Sequence, residues 1–358
     1  MKHGRARAIR AFAAALVLGA LAATESRATA KPPRAAFPEG PSPAVSDRVL
    51  LGLLSTNADS DVVSPAGIDA VLCALVPVMS DSARRQRRAA SESDCRPQPA
   101  YIARSIWFSR TLPPDPRAAP LLRPHAELHV ERGYVNDGVA RWLQAHRALP
   151  LPLRRPVFFA AVSALDYARS WEYPFTLTQP TPFVFHGKKR DARVRFLAGR
   201  QLASIGDRSC VRGVMLLHEG GAVFVTAIGS APVSAAVRCL SRALDPKTLV
   251  DAHFFIPELK LRRTGSIVDR LVRLGLTDVF DGRTNPFPKL FRRGVDEAIQ
   301  AAELTMDWKG IHVSATTSFS ITLSGPRFAA VLAYDHPFAM RVIDERGTTV
   351  AIALVNDL

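Results

Sequence analysis

The chain has 358 residues, 47 Lys and Arg against 32 Asp and Glu, and a formal net charge of +15. Its 47% hydrophobic content, with four Trp and eighteen Phe, is ample for a core, so the chain is expected to fold alone as one large or two ordinary domains. No stretch after the first thirty residues approaches the twenty or so uninterrupted apolar residues of a membrane span, and no nucleic-acid recognition motif accompanies the basic charge.

Residues 1–30 read as a secretory signal. Lys2, Arg5, Arg7 and Arg10 precede an apolar run from Ala11 to Ala23, and Ala28-Thr29-Ala30 offers a small-x-small cleavage site. The expected product is secreted, extracellular and soluble, starting near Lys31. Its removal takes five basic residues and one acid, leaving +11. Acidic partners fit that charge, such as sulfated glycans or a negative protein surface.

From 46 to 79 the pattern predicts a helix, a break at Asp59-Ser60-Asp61, a short strand, and a second helix opened by Ser64-Pro65, a natural cap followed by a natural first helical residue. Cys73 lies in the run Val71 to Val76, where a buried free thiol is expected; with Cys95, Cys210 and Cys239 scattered, one disulfide stays open and no pair has metal-ligand spacing. Arg84, Arg85, Arg87 and Arg88 form the sharpest charge cluster, between flanks that read as loop. A solvated or protease-sensitive loop and a polyanion site both fit it. A strand is predicted over 100–110, a helix over 135–148 and a long apolar strand over 156–168. The segment 182–199 alternates apolar and basic residues, 213–229 reads as hairpins, and a helix is predicted at 266–274. His218-Glu219-Gly220-Gly221 sits between two apolar runs and reads as a hairpin turn. None of the four asparagines lies in an Asn-x-Ser/Thr sequon. No nucleophile elbow, zinc-protease helix, phosphate loop or dinucleotide fingerprint is present, which argues against an enzyme and leaves no cofactor implied.

The longest pattern runs from Gly310 to Leu323. Ile311, Val313, Ala315, Thr317, Phe319, Ile321 and Leu323 alternate with His312, Ser314, Thr316, Ser318, Ser320 and Thr322. Thirteen such residues would span about 43 Å, far beyond a strand of five or six residues. They run into Ser324-Gly325-Pro326-Arg327, a turn-forming stretch. This is either one long strand of a hairpin or barrel, or a loop written so that it can later become a strand.

Across nearly all of the chain after residue 30, five motifs in order resemble the serpin family: Val63-Ser64-Pro65 with Ile68; Trp171-Glu172-Tyr173-Pro174-Phe175; Leu274-Gly275-Leu276-Thr277-Asp278-Val279-Phe280; Asp307, Lys309 and Gly310; and Asp335-His336-Pro337-Phe338. The resemblance implies an α+β fold: a single serpin-like domain over 31–358 with three β-sheets, several helices and an exposed reactive loop at about 308–330. It also implies a suicide substrate, in which a target serine or cysteine protease cleaves the loop and is trapped as the loop inserts into the central sheet. Gly310, Ile311, Val313, Ala315 and Thr317 would be its hinge and first inserted residues. Ser64, Ser163, Trp171 and Gln300 would surround the opening sheet. Family spacing counted from Gly310 places the scissile bond after Ser324, and chain chemistry also favours Arg327-Phe328, with Gly325 on the other side of the first bond.

The departures are specific. The hinge reads Trp308-Lys309-Gly310-Ile311-His312-Val313 where the family favours small residues, and the β-branched Ile311 and Val313 add bulk during insertion. Gly67, Ser163 and Gln300 stand where Ser, Asn and His are expected, and Asp166 and Arg169 where aromatic and glycine residues are. A non-inhibitory serpin acting as carrier, decoy or binding protein is therefore kept as the alternative. The expected partners are a target protease and a heparin-like glycan as modulator at Arg84, Arg85, Arg87 and Arg88; nucleic acid, membrane and metal are not expected, and the chain is expected to be a monomer.

Overall fold

The computed structural model describes residues 49, 52–54, 60–90, 95, 99–153, 156–172, 175, 182–204, 213–227, 236, 249–291, 294–313 and 330–358. Strand β1 (Ser60–Val63) leads into helix α1 (Pro65–Leu75). Ser64 stands between them in extended backbone, its hydroxyl accepting the Gly67 N–H at 3.2 Å, and Pro65 occupies the first turn where no N–H is needed. A single 3-10 turn, Val76–Val78, separates α1 from α2 (Asp81–Ala90). Strand β2 (Ile102–Ser109), the one-turn α3 (Ala119–Leu122), β3 (Glu127–Glu131) and α4 (Asn136–Ala145) follow.

Two expectations for this region fail. The arginine cluster lies on a helix, because Ser80 caps its first turn through Ala83 N–H and Ala83, Arg87 and Ala90 place one buried stripe at helical spacing. Cys73 is not a free thiol: it is disulfide-bonded to Cys95, with Cα atoms 5.3 Å apart.

The apolar run predicted as one strand over 156–168 is two, β4 (Phe159–Leu165) and β5 (Tyr167–Ser170), with Asp166 between them. Hairpins then follow one another: β6 (Pro182–His186) with β7 (Asp191–Ser204), and β8 (Gly213–His218) with β9 (Gly221–Ala227). Gly220 adopts a φ of +73° in the second turn, the left-handed region where a side chain is strained. Strands β10 (Leu249–Pro257) and β11 (Leu259–Ser266) precede α5 (Val268–Arg273) and α6 (Thr277–Phe280). The chain ends with β12 (Ile299–Met306), β13 (Gly310–Val313), β14 (Ala330–Ala333), β15 (Phe338–Asp344) and β16 (Thr349–Val355).

The described strands form four hydrogen-bonded sheets, in the orders β1-β16-β15-β9-β8, β14-β10-β7-β6, β11-β12-β13-β5 and β3-β2-β4. Three sheets are expected; the fourth arises because β4 and β5, consecutive in the chain, belong to different sheets. Strands β15 and β16 are buried throughout, as their uninterrupted apolar sequence requires. The core joins Val342, Ala351 and Ala353 from them to Tyr167 of β5, Leu304 and Met306 of β12, and Ile311 and Val313 of β13. The opposite face of β2 and β4 is covered by α4, through Trp107, Val139, Trp142, Val162 and Ala164.

One buried ionic cluster ties β1 to β11 and α5. Asp61, 1% exposed, receives Arg263 Nη1 on one carboxylate oxygen and Arg270 Nη1 on the other, each at 2.9 Å, and Arg270 also donates to the Leu53 carbonyl. Removing the carboxylate leaves a buried guanidinium without its counter-charge. Asp61→Ala is therefore expected to cost about 3–5 kcal/mol in a denaturant titration of folding; a loss below about 1 kcal/mol, the size of a surface pair, would contradict this account.

Candidate functional site

Strand β13 is the centre of the site. It pairs antiparallel with β5 over its whole length, Gly310↔Ser170 to Val313↔Tyr167, and with β12 through Met306↔Ile311 and Thr305↔His312. Gly310, Ile311 and Val313, the expected hinge residues, are thus strand, all paired with β5 and Ile311 with β12 as well. Ile311 and Val313 are 1% and 3% exposed and join the core. Their β-branching, a burden for a chain still sliding in, suits a finished strand.

A tight turn starts this strand. Asp307 accepts the Lys309 and Gly310 N–H groups on Oδ1 at 2.7 and 3.1 Å, and its own N–H donates to the Gly310 carbonyl at 3.1 Å. Trp171, at the end of β5, clamps the turn from the side, its indole N–H donating to the Asp307 carbonyl at 2.8 Å. Gly310 is required by proximity: a Cβ there would come within 2.1 Å of the Arg169 carbonyl oxygen. In the sequence Asp307 stood out only as part of a family motif; its turn and its bond to Trp171 were not legible there.

Below Val313 the two flanking strands separate. Among the described residues β4 makes no ladder with β12, and a cleft of about 1470 Å³ lies between them, lined by Val313 at its top, Phe159 and Ser163 on one wall and Gln300 on the other. Ser64 and Gly67 form part of its inner lining. The polar groups here are joined. Gln300 Oε1 accepts the Ser64 N–H at 3.0 Å, its Nε2 donates to the Ser64 carbonyl at 2.9 Å, Ser64 Oγ donates to the Val350 carbonyl at 2.7 Å, and Ser163 Oγ donates to the Gly67 carbonyl at 2.8 Å. Gly67 lies beside this group: a Cβ there would sit at ordinary contact distances, 3.4 to 3.7 Å, from Ser64 Oγ, Ser163 Oγ and Gln300 Nε2. Ser64, Ser163 and Gln300 therefore meet at the start of α1, whereas Trp171 serves the turn before β13.

Charged groups mark the boundary between filled and open parts. His312 Nε2 lies 4.0 Å from Asp166 Oδ1. Burial pushes the His312 imidazole below its ordinary range and the Asp166 carboxyl above its own, the latter partly offset by Arg147. Behind β5, Tyr101 donates to Asp344 Oδ2 at 2.6 Å, and burial followed by that carboxylate raises the Tyr101 hydroxyl well beyond the usual phenol range. The Arg169 guanidinium sits 4.5 Å from the Tyr167 ring centroid.

The remaining predicted residues divide. Ala315, Thr317, Ser324, Gly325, Arg327 and Phe328 lie outside the described residues, as does the signal segment. Of the four arginines, Arg87 turns inward: it is 3% exposed, with Nη2 2.9 Å from Cys73 Sγ and 3.9 Å from Asp69. It cannot share a surface patch with the others. Arg85 and Arg88 are exposed, and Arg84 is half-buried with its guanidinium donating twice to the Met79 carbonyl.

Strand β13 is thus seated at the head of a cleft between two strands of one wall. The family model for the serpins, serine protease inhibitors, matches residues 149–356, and the chain belongs to that family. Among solved structures it is similar to the thermophilic serpin tengpin in its native state (TM-score 0.70, 15% identity, 92% of this chain and 96% of that one). It is also similar to serpin-12 of Manduca sexta (TM-score 0.67, 14% identity, 89% and 98%) and to native protease nexin-1 with heparin (TM-score 0.69, 16% identity, 88% and 99%). No curated protein sequence matches the chain.

His218 gives this region a pH dependence. It is 1% exposed at the end of β8, and burial lowers its imidazole from the ordinary 6.5 to about 4. As pH falls the unfolded chain takes up the proton first, so the stability is whole above about 6.5 and lost as pH falls through about 4. The loss amounts to about 3 kcal/mol. Unfolding free energies at pH 7 and pH 4.5 should differ less in His218→Gln than in the wild type; an identical difference would remove His218 from the acid sensitivity.

Proposed function

We propose that this serpin is a secreted inhibitor that traps a serine or cysteine protease by loop cleavage and insertion into the central sheet. The observation that carries the reading is β13, hydrogen-bonded on both edges at the head of a cleft in line with it. Continuing its register one residue at a time, Ala315 would come opposite Leu165 and Ala302, Thr317 opposite Ser163 and Gln300, and Ile321 opposite Phe159. The alternation agrees with that placement. Ile311 and Val313 face the core, so Ala315, Thr317, Phe319 and Ile321 would follow them inward, with the Thr317 hydroxyl beside the Ser64, Ser163 and Gln300 group. The candidate bonds at Ser324-Gly325 and Arg327-Phe328 would then lie past the far end of the slot. Each added ladder bond is worth about 0.5–1.5 kcal/mol and each buried apolar side chain about 1.5–3 kcal/mol, enough to drive the rearrangement.

The non-inhibitory alternative is favoured by one observation, the bulk of Ile311 and Val313 already locked in place by Trp171 and Asp307, which leaves a hinge that moves less freely. Glycan binding, if this serpin uses it, would fall to Arg85 and Arg88 with Arg84, without Arg87.

Incubation with trypsin-, chymotrypsin- and elastase-like enzymes should give a covalent complex that survives SDS, and Ala315→Glu, which puts a charge against the core, should turn the inhibitor into a cleaved substrate. Cleavage without any complex would assign the chain to the non-inhibitory class; complexes undiminished in Ala315→Glu would contradict insertion along this register.

Insertion also has a signature that needs no enzyme complex. Cleaving the purified protein once between residues 320 and 330 should raise its melting temperature substantially, because a new strand pairs with both walls of the cleft. An unchanged melting temperature after clean cleavage would show that the slot stays empty.

A further inference from the structure

At the end of the β14-β10-β7-β6 sheet two histidines from distant parts of the chain face each other. His186 closes β6, and His336 lies in the turn between β14 and β15; their ring centroids are 5.2 Å apart and their planes 40° from parallel. The two segments are held in register by a backbone bond from the His186 N–H to the Asp335 carbonyl at 2.7 Å, and by the pairing of His186 with Asp191 across the β6-β7 hairpin. Each imidazole has its own carboxylate. Asp191 Oδ2 lies 3.1 Å from His186 Nδ1, and Asp335 Oδ1 lies 2.8 Å from His336 Nδ1. Both histidines are exposed, with side chains 47% and 62% accessible.

We infer that His186 and His336 form a divalent transition-metal site, binding Zn2+, or Cu2+ and Ni2+ by the same chemistry, through their two Nε2 atoms with water completing the coordination. Three features support it. Two imidazoles on one tetrahedral ion, with metal–nitrogen bonds of about 2 Å, have ring centroids about 5 Å apart, the separation seen here before any ion is bound. A carboxylate on Nδ1 fixes the tautomer and leaves the Nε2 lone pair for the metal, and here both ligands carry such a partner. The rings stand on a hairpin and a turn tied by a main-chain hydrogen bond, so little ordering is needed on binding. Among the described residues no group of three or more His, Cys, Asp or Glu could hold a metal ion, which makes this a two-nitrogen, water-rich site. Imidazole ligation selects Zn, Cu and Ni over Mg and Ca.

The bound ion would bridge the β6-β7 hairpin to the turn that follows β14. It would thereby brace the C-terminal end of β14 against the hairpin.

Titration of the full chain with ZnCl2 in a calorimeter, in a buffer that does not chelate, should show saturable binding that His186→Ala and His336→Ala each remove. Asp335→Asn, which keeps the shape but weakens the Nδ1 partner, should weaken binding about ten-fold or more. Both histidines are exposed, so the alanine variants should melt like the wild type without metal, and Zn2+ should raise the melting temperature of the wild type alone. With Cu2+, the electron paramagnetic resonance spectrum should show nitrogen hyperfine coupling that either alanine variant loses. Wild-type Zn2+ affinity retained by either histidine variant, or no saturable binding by the wild type at millimolar Zn2+, overturns the inference.

Discussion

A β-strand exposes a row of N–H and C=O groups along each edge, and where those rows find partners governs the arrangement around the site. Strand β13 satisfies both of its edges, against β5 and β12, and so closes the upper part of the wall. Just below it, among the described residues, β4 and β12 share no ladder; β4 pairs with β2, and β12 below Thr305 with β11. This split turns one wall into two sheets and leaves the cleft. Everything named at the site borders either the closed part or the open part.

The closed part is held by short, local devices. Asp307 makes the turn, Trp171 ties it to β5, and Gly310 lets β13 approach the Arg169 carbonyl closely. These bonds make the first four residues of the alternating segment a fixed piece of sheet. The open part is lined largely by apolar side chains, but Ser163 and Gln300, which face each other across it, are bonded to the backbone at the start of α1. A polar seam can exchange partners without leaving a buried donor unpaired, whereas an apolar seam packed to interior density would have to be broken apart first. The proposed insertion uses that difference at Ser163 and Gln300.

Buried ionisable groups cluster behind the same wall. Tyr101 with Asp344, and the neutral His218 near Tyr167, lie beneath the filled end, and Asp61 with two arginines anchors β1 beneath β11. The Tyr101–Asp344 and Asp61–arginine pairs join residues far apart in sequence, so the rigidity of the filled end depends on the whole fold being assembled.

Much was legible in the sequence because local rules operate there. The Ser64-Pro65 helix start, the hairpin at His218 to Gly221, the strands near 100–110 and 213–227 and the helix near 135–148 follow from capping, turn chemistry and period alone, and five short motifs in order sufficed to suggest the family. The alternation from Gly310 marked the segment in which β13 begins. What local pattern could not supply was partnership. Arg87 reads as one of four surface arginines, yet helical geometry points it at Cys73 and Asp69; Cys73 reads as a buried thiol, yet the chain returns Cys95 to it. The run at 156–168 reads as one strand, yet Asp166 divides it between two sheets. Whether a written strand lies in a sheet, beside it or between two others depends on which edges are vacant when the rest of the chain has packed. Composition and period fixed which residues can form a strand; only the tertiary arrangement of β4, β5 and β12 decided where Gly310 to Val313 found one.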